Sequence, residues 1–225
     1  MRYAILIPAY NEEKNISEVI RGAINFVKDI FVVDDGSNDR TSLKAEAEGA
    51  HVIKHNKNMG KGAALNTGFS EITKNDLDAI ITIDADGQHL PSEIPKLITA
   101  FENKKGDIII GERTINRESM PYLRLLANKI GELFISKAVG TQMRDTQSGF
   151  RIYSREVIEK VKSKTNGFEM ETEILLKAHK SGFRIGSVSV TTVYPDDYSS
   201  HFRPVRDFYR ISKLVLKNLF ANLTP

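Results

Sequence analysis

The chain of 225 residues contains no cysteine and no tryptophan. The first absence excludes disulfides, thiolate zinc sites and cysteine nucleophiles, and it is compatible with a reducing compartment. No stretch approaches the roughly 20 uninterrupted apolar residues of a membrane span. The short apolar run at residues 1–8 lacks the architecture of a signal peptide. An excess of one charge is missing too: the net charge is +3, too small to argue for a nucleic acid partner. There is no internal repeat and no low-complexity linker. No Gly-x-Gly-x-x-Gly follows the first apolar run, and no Gly-x-x-x-x-Gly-Lys-Ser/Thr occurs. Both absences argue against a dinucleotide dehydrogenase and a P-loop NTPase.

What is present suits a globular domain with a sizeable core: 40% hydrophobic and 27% charged residues. Tyr3 to Pro8 reads as a strand. Asn11 is a candidate N-cap for a helix carrying Ile16, Val19, Ile20, Ala23 and Val27 at helical spacing. Ile30 to Asp34 is a second strand, followed by a short helix capped by Ser37 or Asp39 and ending near Gly49. His51 to Lys54 is a third strand, and the stretch Asn58 to Gly62 opens a helix running to Ile72. A strand at Ile80 to Ile83, a helix over 91–102 and a strand at Asp107 to Gly111 complete the first half. This alternation predicts an α/β fold with a mostly parallel central sheet covered by helices. The second half predicts a helix over Tyr122 to Val139 and a polar loop, Asp145 to Arg151, leading into Ile152 and Tyr153. A helix at Glu169 to Ser181, an alternating strand at Arg184 to Val193 and an amphipathic helix from Pro204 to Phe220 follow.

The chain is organised around Ile80-Ile81-Thr82-Ile83-Asp84-Ala85-Asp86-Gly87-Gln88. A β-branched run of this kind reads as a buried parallel strand. In an extended chain Asp84, Asp86 and Gln88 share one side, so they can converge on one hard cation completed by substrate phosphates. The competing reading is a strand followed by an acidic turn. Pro8 and Tyr10, Asp35, and Asp84 with Asp86 all fall at strand ends, on the edge where such sheets bind nucleotides.

Six motifs occur in one order: Ile-Pro-Ala-Tyr-Asn-Glu (7–12), Val-Val-Asp-Asp-Gly-Ser (32–37), Gly-Lys-Gly (60–62), Asp-Ala-Asp-Gly-Gln-His (84–89), Gly-Glu-Arg (111–113) and Gln-Ser-Gly-Phe-Arg (147–151). With them the chain resembles family 2 glycosyltransferases of the GT-A fold. Within that family it looks like the branch of dolichyl- and polyprenyl-phosphate mannosyl- and glucosyltransferases. The resemblance spans about residues 2–195. With the amphipathic pattern of the tail, this divides the chain into an expected catalytic domain over 1–203 and a C-terminal amphipathic helical tail over 204–225. The resemblance implies a nucleotide-sugar donor, GDP-mannose or a UDP-sugar, and inversion at the anomeric carbon. By the same resemblance Pro8, Tyr10 and Glu12 line the nucleotide pocket, Asp35 binds base or ribose, and Asp34 supports the loop. Lys61, Gly62 and Ala85 lie near the nucleotide. Asp84, Asp86 and Gln88 hold Mg2+ or Mn2+ against the diphosphate. Arg113 and Arg124 face an acceptor phosphate. Asp145 falls where relatives that glycosylate hydroxyls place their base. The transmembrane helices that longer members carry after the catalytic domain do not occur within these 225 residues, so the chain is expected to resemble either the soluble type or a truncated form of a longer one. The Trp-containing acceptor motif of processive polysaccharide synthases is absent.

The acceptor decides whether a base is needed. A hydroxyl must lose a proton to a carboxylate. A phosphate monoester is largely dianionic at neutral pH and needs cations to place it, for which arginine's planar fork is suited. Arg113, Arg117 and Arg124 favour a polyprenyl-phosphate acceptor, with Asp145 orienting the loop or an arginine. Two other readings compete: transfer to a sugar or small-molecule hydroxyl with Asp145 as base, and a non-catalytic nucleotide-sugar binding module. Plainer roles exist for several residues: Tyr10 packing its loop, Lys61 and Arg117 solvated, His89 opening a helix instead of binding metal, His201 in a surface loop. In the tail, Phe208, Ile211, Val215 and Leu219 line one helical face and Arg206, Arg210, Lys213 and Lys217 the opposite one. That pattern fits either a helix packed on the domain or peripheral contact with the cytoplasmic leaflet. A membrane-anchored partner subunit would be an alternative route to the lipid.

Overall fold

A computed structural model describes residues 1–113, 136, 145–193, 210 and 212–214. Among the described residues seven strands form one sheet: β1 (Tyr3–Ala9), β2 (Asp29–Asp34), β3 (His51–Lys54), β4 (Ala79–Thr82), β5 (Ile108–Arg113), β6 (Arg151–Ser154) and β7 (Ile185–Val190). The helices described from end to end are α1 (Ile16–Ala23), α2 (Thr41–Ala47), α3 (Lys61–Ile72), α4 (Ile94–Glu102), α5 (Arg155–Lys160) and α6 (Glu169–Lys180). The strand order is β3-β2-β1-β4-β6-β5-β7. All neighbours are parallel except β6, which is antiparallel to both β4 and β5.

Alternation along each strand divides the core into two layers. Ala4 and Leu6 of β1, Ile108 and Ile110 of β5 and Tyr153 of β6 face α3, α5 and α6. Ile5, Ile7, Ile109 and Ile152 face α1 and α4. The inner strands β1, β2, β4 and β5 are therefore covered on both sides, which is why their sequences are almost continuously apolar, whereas the outer strands β3 and β7 keep exposed positions. Helix α1 buries Ile16, Val19, Ile20 and Ala23, the i, i+3, i+4, i+7 stripe that its sequence spells. Full burial of each large side chain contributes about 1.5–3 kcal/mol. Helix α3 approaches β1 closely at Gly68, where a Cβ would lie 2.7 Å from Leu6 Cδ2.

Three expectations change. Asn11 does not cap α1, which starts at Ile16 with Asn15 at the N-cap position. Asn11 instead has φ of 55°, a left-handed conformation that Asn tolerates, and its Oδ1 accepts from the Asn38 backbone at 2.9 Å. The central strand stops at Thr82 and the chain turns at Ala85 and Asp86, so extended alternation is not what relates Asp84, Asp86 and Gln88. Helix α5, which the periodicity did not suggest, is capped by Ser154, whose Oγ accepts from Val157 N at 3.2 Å. The expected helix at 122–139 lies outside the described residues apart from Ser136, which is helical, and the tail is described only at Arg210 and Ser212 to Leu214, also helical. Leu214 packs against the α3–α6 layer of the core.

Candidate active site

The parallel strands end at one edge of the sheet, and the marked residues gather there. β1 ends in Pro8 and Ala9 and hands on to Tyr10, β2 to Asp34 and Asp35, β4 to Asp84 and Asp86, and β5 to Arg113. β6 runs the other way, so its first residue, Arg151, pairs with the last residue of β4, Thr82. The motif Gln147 to Arg151 is thereby delivered to the same edge.

Pro8 is buried beside Val33 of β2, and Tyr10 is half-buried just beyond. Asp34 and Asp35 build the adjoining loops. The Asp34 carboxylate accepts from Ser37 N at 2.8 Å and from the Ser42 hydroxyl. Asp35, 3% exposed, accepts from Met59 N at 2.9 Å and Gly60 N at 2.7 Å. His55 joins it through Nδ1 at 2.7 Å, with Nε2 on the Thr67 hydroxyl at 3.0 Å. Asp35 thus fixes the loop that opens α3. Gly62 is buried in the first turn of that helix, and a Cβ there would lie 2.7 Å from the Asn166 carbonyl carbon. Its role in the structure is close packing of α3 on the 166–170 stretch.

Around the turn after β4, negative charge is concentrated. Burial pushes the Asp86 carboxyl up to about 6, and neighbouring Asp84 adds to the rise. Asp86 Oδ1 accepts from Gln88 N at 3.0 Å. Burial also raises Glu12, aided by Asp84 and Asp39. Ala85 is buried and packs into the core beneath the turn. The Gln88 side chain is 4% exposed, and its amide nitrogen has no hydrogen-bond partner among the described residues. His89 is buried against Phe150, with ring centroids 5.2 Å apart. Burial pushes it down to about 4, so it is neutral at physiological pH.

Lys61 is not a solvated helix residue. Its side chain is 15% exposed, and Nζ lies 2.7 Å from Asp84 Oδ1 and 3.3 Å from Glu171 Oε2. The Phe168 ring centroid is 5.7 Å away. Burial alone would lower the Lys61 ammonium, but the two carboxylates outweigh it and keep the charge. Burial likewise opposes ionisation of Asp84, yet Lys61 holds that carboxyl below the usual range. Gly149 leaves the room for this pair: a Cβ there would lie 2.6 Å from both Asp84 Oδ1 and Lys61 Nζ. Below it, fully buried Arg151 donates to the carbonyls of Ser148 (2.7 Å), Thr146 (2.8 Å) and Glu171 (3.0 Å).

On β5, Arg113 grips Asp145 with a bidentate pair, Nε to Oδ2 at 2.7 Å and Nη2 to Oδ1 at 2.9 Å. The Arg113 backbone N–H adds a third bond to Oδ2 at 3.1 Å. Asp145 is 5% exposed. Arg117, Arg124 and His201 lie outside the described residues.

Sequence reasoning missed Glu171, Arg151 and His55. Two signals existed. Glu169, Glu171 and Glu173 alternate on one helix, and at that spacing they cannot all face solvent. Arg151 sits between Phe150 and Ile152, where a charge in an apolar strand implies buried partners. Nothing local marks His55.

Comparison with known proteins adds a frame to this geometry. A model described as glycosyl transferase family 2 matches residues 4–162. A UDP-N-acetylglucosamine–dolichyl-phosphate N-acetylglucosaminyltransferase of Methanococcus voltae is 33% identical over 216 residues, covering 85% of this chain and 86% of that one. A dolichol-phosphate mannosyltransferase of Pyrococcus furiosus is 35% identical over 195 residues, covering 80% of this chain and 54% of that one. Among solved structures, glucosyl-3-phosphoglycerate synthase from Mycobacterium tuberculosis, in complex with Mn2+, UDP and glucosyl-3-phosphoglycerate, superposes with a TM-score of 0.73. It covers 98% of this chain and 79% of its own at 22% identity, a likeness of fold.

Proposed function

Because this chain belongs to glycosyltransferase family 2, we propose that it moves a hexose from a nucleoside diphosphate sugar to a polyprenyl phosphate with inversion at the anomeric carbon. The names of its relatives support that acceptor class. The observation that carries the reading is Asp145. In a transferase acting on hydroxyls this carboxylate would have to receive a proton. Here both of its oxygens are committed to Arg113, so it serves to aim a guanidinium. An aimed guanidinium suits a phosphate. In this reading Arg113, with Arg124 from outside the described residues, places the acceptor.

The acceptor's phosphate oxygen attacks the anomeric carbon while the bond to the diphosphate oxygen breaks on the opposite face. The electron pair departs with the nucleoside diphosphate. No proton is removed, because the acceptor is already dianionic. Pro8, Tyr10, Glu12 and Asp35 border the nucleotide, with Lys61 and the turn at Ala85 beside the phosphates. The donor set fits Mg2+ or Mn2+. Asp84 and Asp86 offer hard oxygens, and their mutual repulsion in a half-buried turn is what a cation relieves. Among the described residues no three His, Asp or Glu side chains form a cage. Two carboxylates are what Mg2+ takes from a protein when substrate phosphates supply the remainder. Gln88 stands next to them as a further oxygen donor. A bound divalent ion would neutralise charge on the departing diphosphate, as the solved synthase complexes with Mn2+ or Mg2+ and UDP illustrate for that protein.

An acceptor exchange tests the proposal. A panel of GDP- and UDP-sugars is assayed with dolichyl or undecaprenyl phosphate and with the corresponding alcohols. Product is expected with the phosphate alone. Turnover of the alcohol that disappears in Asp145→Asn would establish hydroxyl transfer instead.

A further inference from the structure

Lys61 stands between two carboxylates in unequal circumstances. Asp84 Oδ1 is the nearer at 2.7 Å, and Glu171 Oε2 lies at 3.3 Å. Glu171 is 3% exposed, and its other oxygen, Oε1, is buried without a hydrogen-bond partner among the described residues. A buried carboxylate oxygen left unmatched is costly, of the order of 1–3 kcal/mol or more, so it needs a purpose. Among the described residues these two carboxylates are the ones within 4 Å of the ammonium; Arg151 repels it, and the Phe168 ring offers only a π face. Gly149 keeps the space around Nζ clear.

From this we infer that Glu171 is a positioning residue, a second station that takes up the Lys61 ammonium when Asp84 gives its charge to a divalent cation. The argument is one of charge. With Lys61 on Asp84, Asp84 is already neutralised, and a cation gains little from it while being repelled by Nζ. With Lys61 on Glu171, the ammonium stays paired and buried, Glu171 gains the donor it lacks, and Asp84 becomes an available anion. Glu171 therefore controls the affinity of the site without touching the ion. The inference rests on the reading that Asp84 and Asp86 hold a divalent ion.

Titration with Mn2+ alone, followed by the loss of the free-ion signal in electron paramagnetic resonance, tests it without recourse to turnover. Glu171→Gln is expected to bind Mn2+ roughly 10- to 100-fold more weakly than wild type, because Lys61 then has no alternative to Asp84. Adding Lys61→Met to Glu171→Gln is expected to restore most of that loss, since the competing ammonium is gone. A residue needed only for packing would give no such rescue. Should Glu171→Gln not fold, a crystal structure of the wild type with Mn2+ decides: Nζ is expected closer to Glu171 than to Asp84. Wild-type affinity in Glu171→Gln, no recovery in the double variant, or Nζ still on Asp84 with Mn2+ bound would each overturn the inference. A wild type that takes up no Mn2+ either alone or with UDP or GDP present, or whose uptake survives Asp86→Asn, removes the metal reading and this inference with it.

Discussion

Ionising Asp86 is opposed by the fold, and that opposition has a measurable sign. Its carboxyl is pushed up to about 6, first by burial and then by Asp84, whereas an unfolded Asp titrates near 4. The folded state thus binds this proton more tightly, and the ionised form costs stability that accrues as pH rises from about 4 to about 6. Two units correspond to about 3 kcal/mol; discounted for a half-buried group, about 1–2 kcal/mol remains. Asp86→Asn should therefore raise the Tm of the metal-free protein by about 2–6 °C at pH 7.5, lose that advantage below pH 4, and abolish metal-dependent turnover. Calorimetry across pH, with an EDTA-controlled assay, checks all three; a lower Tm at pH 7.5 would contradict the argument. Asp145 makes the opposite kind of contribution. If it aims Arg113, Asp145→Asn weakens a charged hydrogen-bond pair of about 1.5–3 kcal/mol. The expected outcome is a roughly tenfold or larger loss in kcat/KM for the lipid phosphate, with donor affinity and the shape of the pH–rate profile retained. Loss of the acidic limb of that profile would mark Asp145 as a base.

Elements that present a strong period were legible, and those fixed by long-range pairing were not. β1, β2, α1, α3, α4 and α6 announce themselves through continuous apolar runs or three-and-four spacing. The orientation of β6 is invisible locally, because nothing in Arg-Ile-Tyr-Ser says which way the strand runs. It is set by Thr82 facing Arg151 on one side and Ile110 facing it on the other. That reversal is what brings Gly149 against Asp84, so the glycine that makes room for the Asp84–Lys61 pair was readable only as a motif letter. Helix α5 had a signal, a Ser cap followed by Arg155–Glu159 and Glu156–Lys160 pairs, but too short an apolar stripe. In α6 the third acid, Glu173, is a loop anchor. Burial would raise its carboxyl, yet Lys177, Ser163, Thr165 and the Lys164 N–H hold it down to about 2. A folded pKa below the ordinary 4.5 means stability present above that value and lost as pH falls from about 4.5 to about 2. Glu173→Gln should cost about 1–3 kcal/mol at pH 7, and its Tm should converge with wild type as pH approaches 2. A gap that stays constant across that window would assign the effect to packing.

For the molecule as a whole, the proposed lipid-phosphate acceptor raises the question of how the carboxyl edge of the sheet would reach it. Among the described residues no helix is long and apolar enough to cross a membrane. The helical tail offers a surface route, and its described residues refine the amphipathic pattern. Leu214 packs on the core and Arg210 Nη1 lies 4.0 Å from Glu169 Oε1, so that part of the helix is docked on α6. Lys213 is exposed, and Lys217, outside the described residues, follows it four positions later in the sequence. A basic residue near an anionic headgroup layer contributes about 1 kcal/mol, falling off within a Debye length. Reversing one charge then removes about 2 kcal/mol, a factor of roughly 30 in partitioning. We therefore expect co-sedimentation with vesicles containing anionic lipid, weaker binding at high salt, and loss of most binding in Lys213→Glu/Lys217→Glu. Turnover of a short, water-soluble prenyl phosphate should survive the double change, because neither lysine belongs to the site. Equal binding to neutral vesicles, or an unaffected double variant, would show that electrostatics does not bring this protein to its acceptor and would leave the tail as a packed helix with a solvated face.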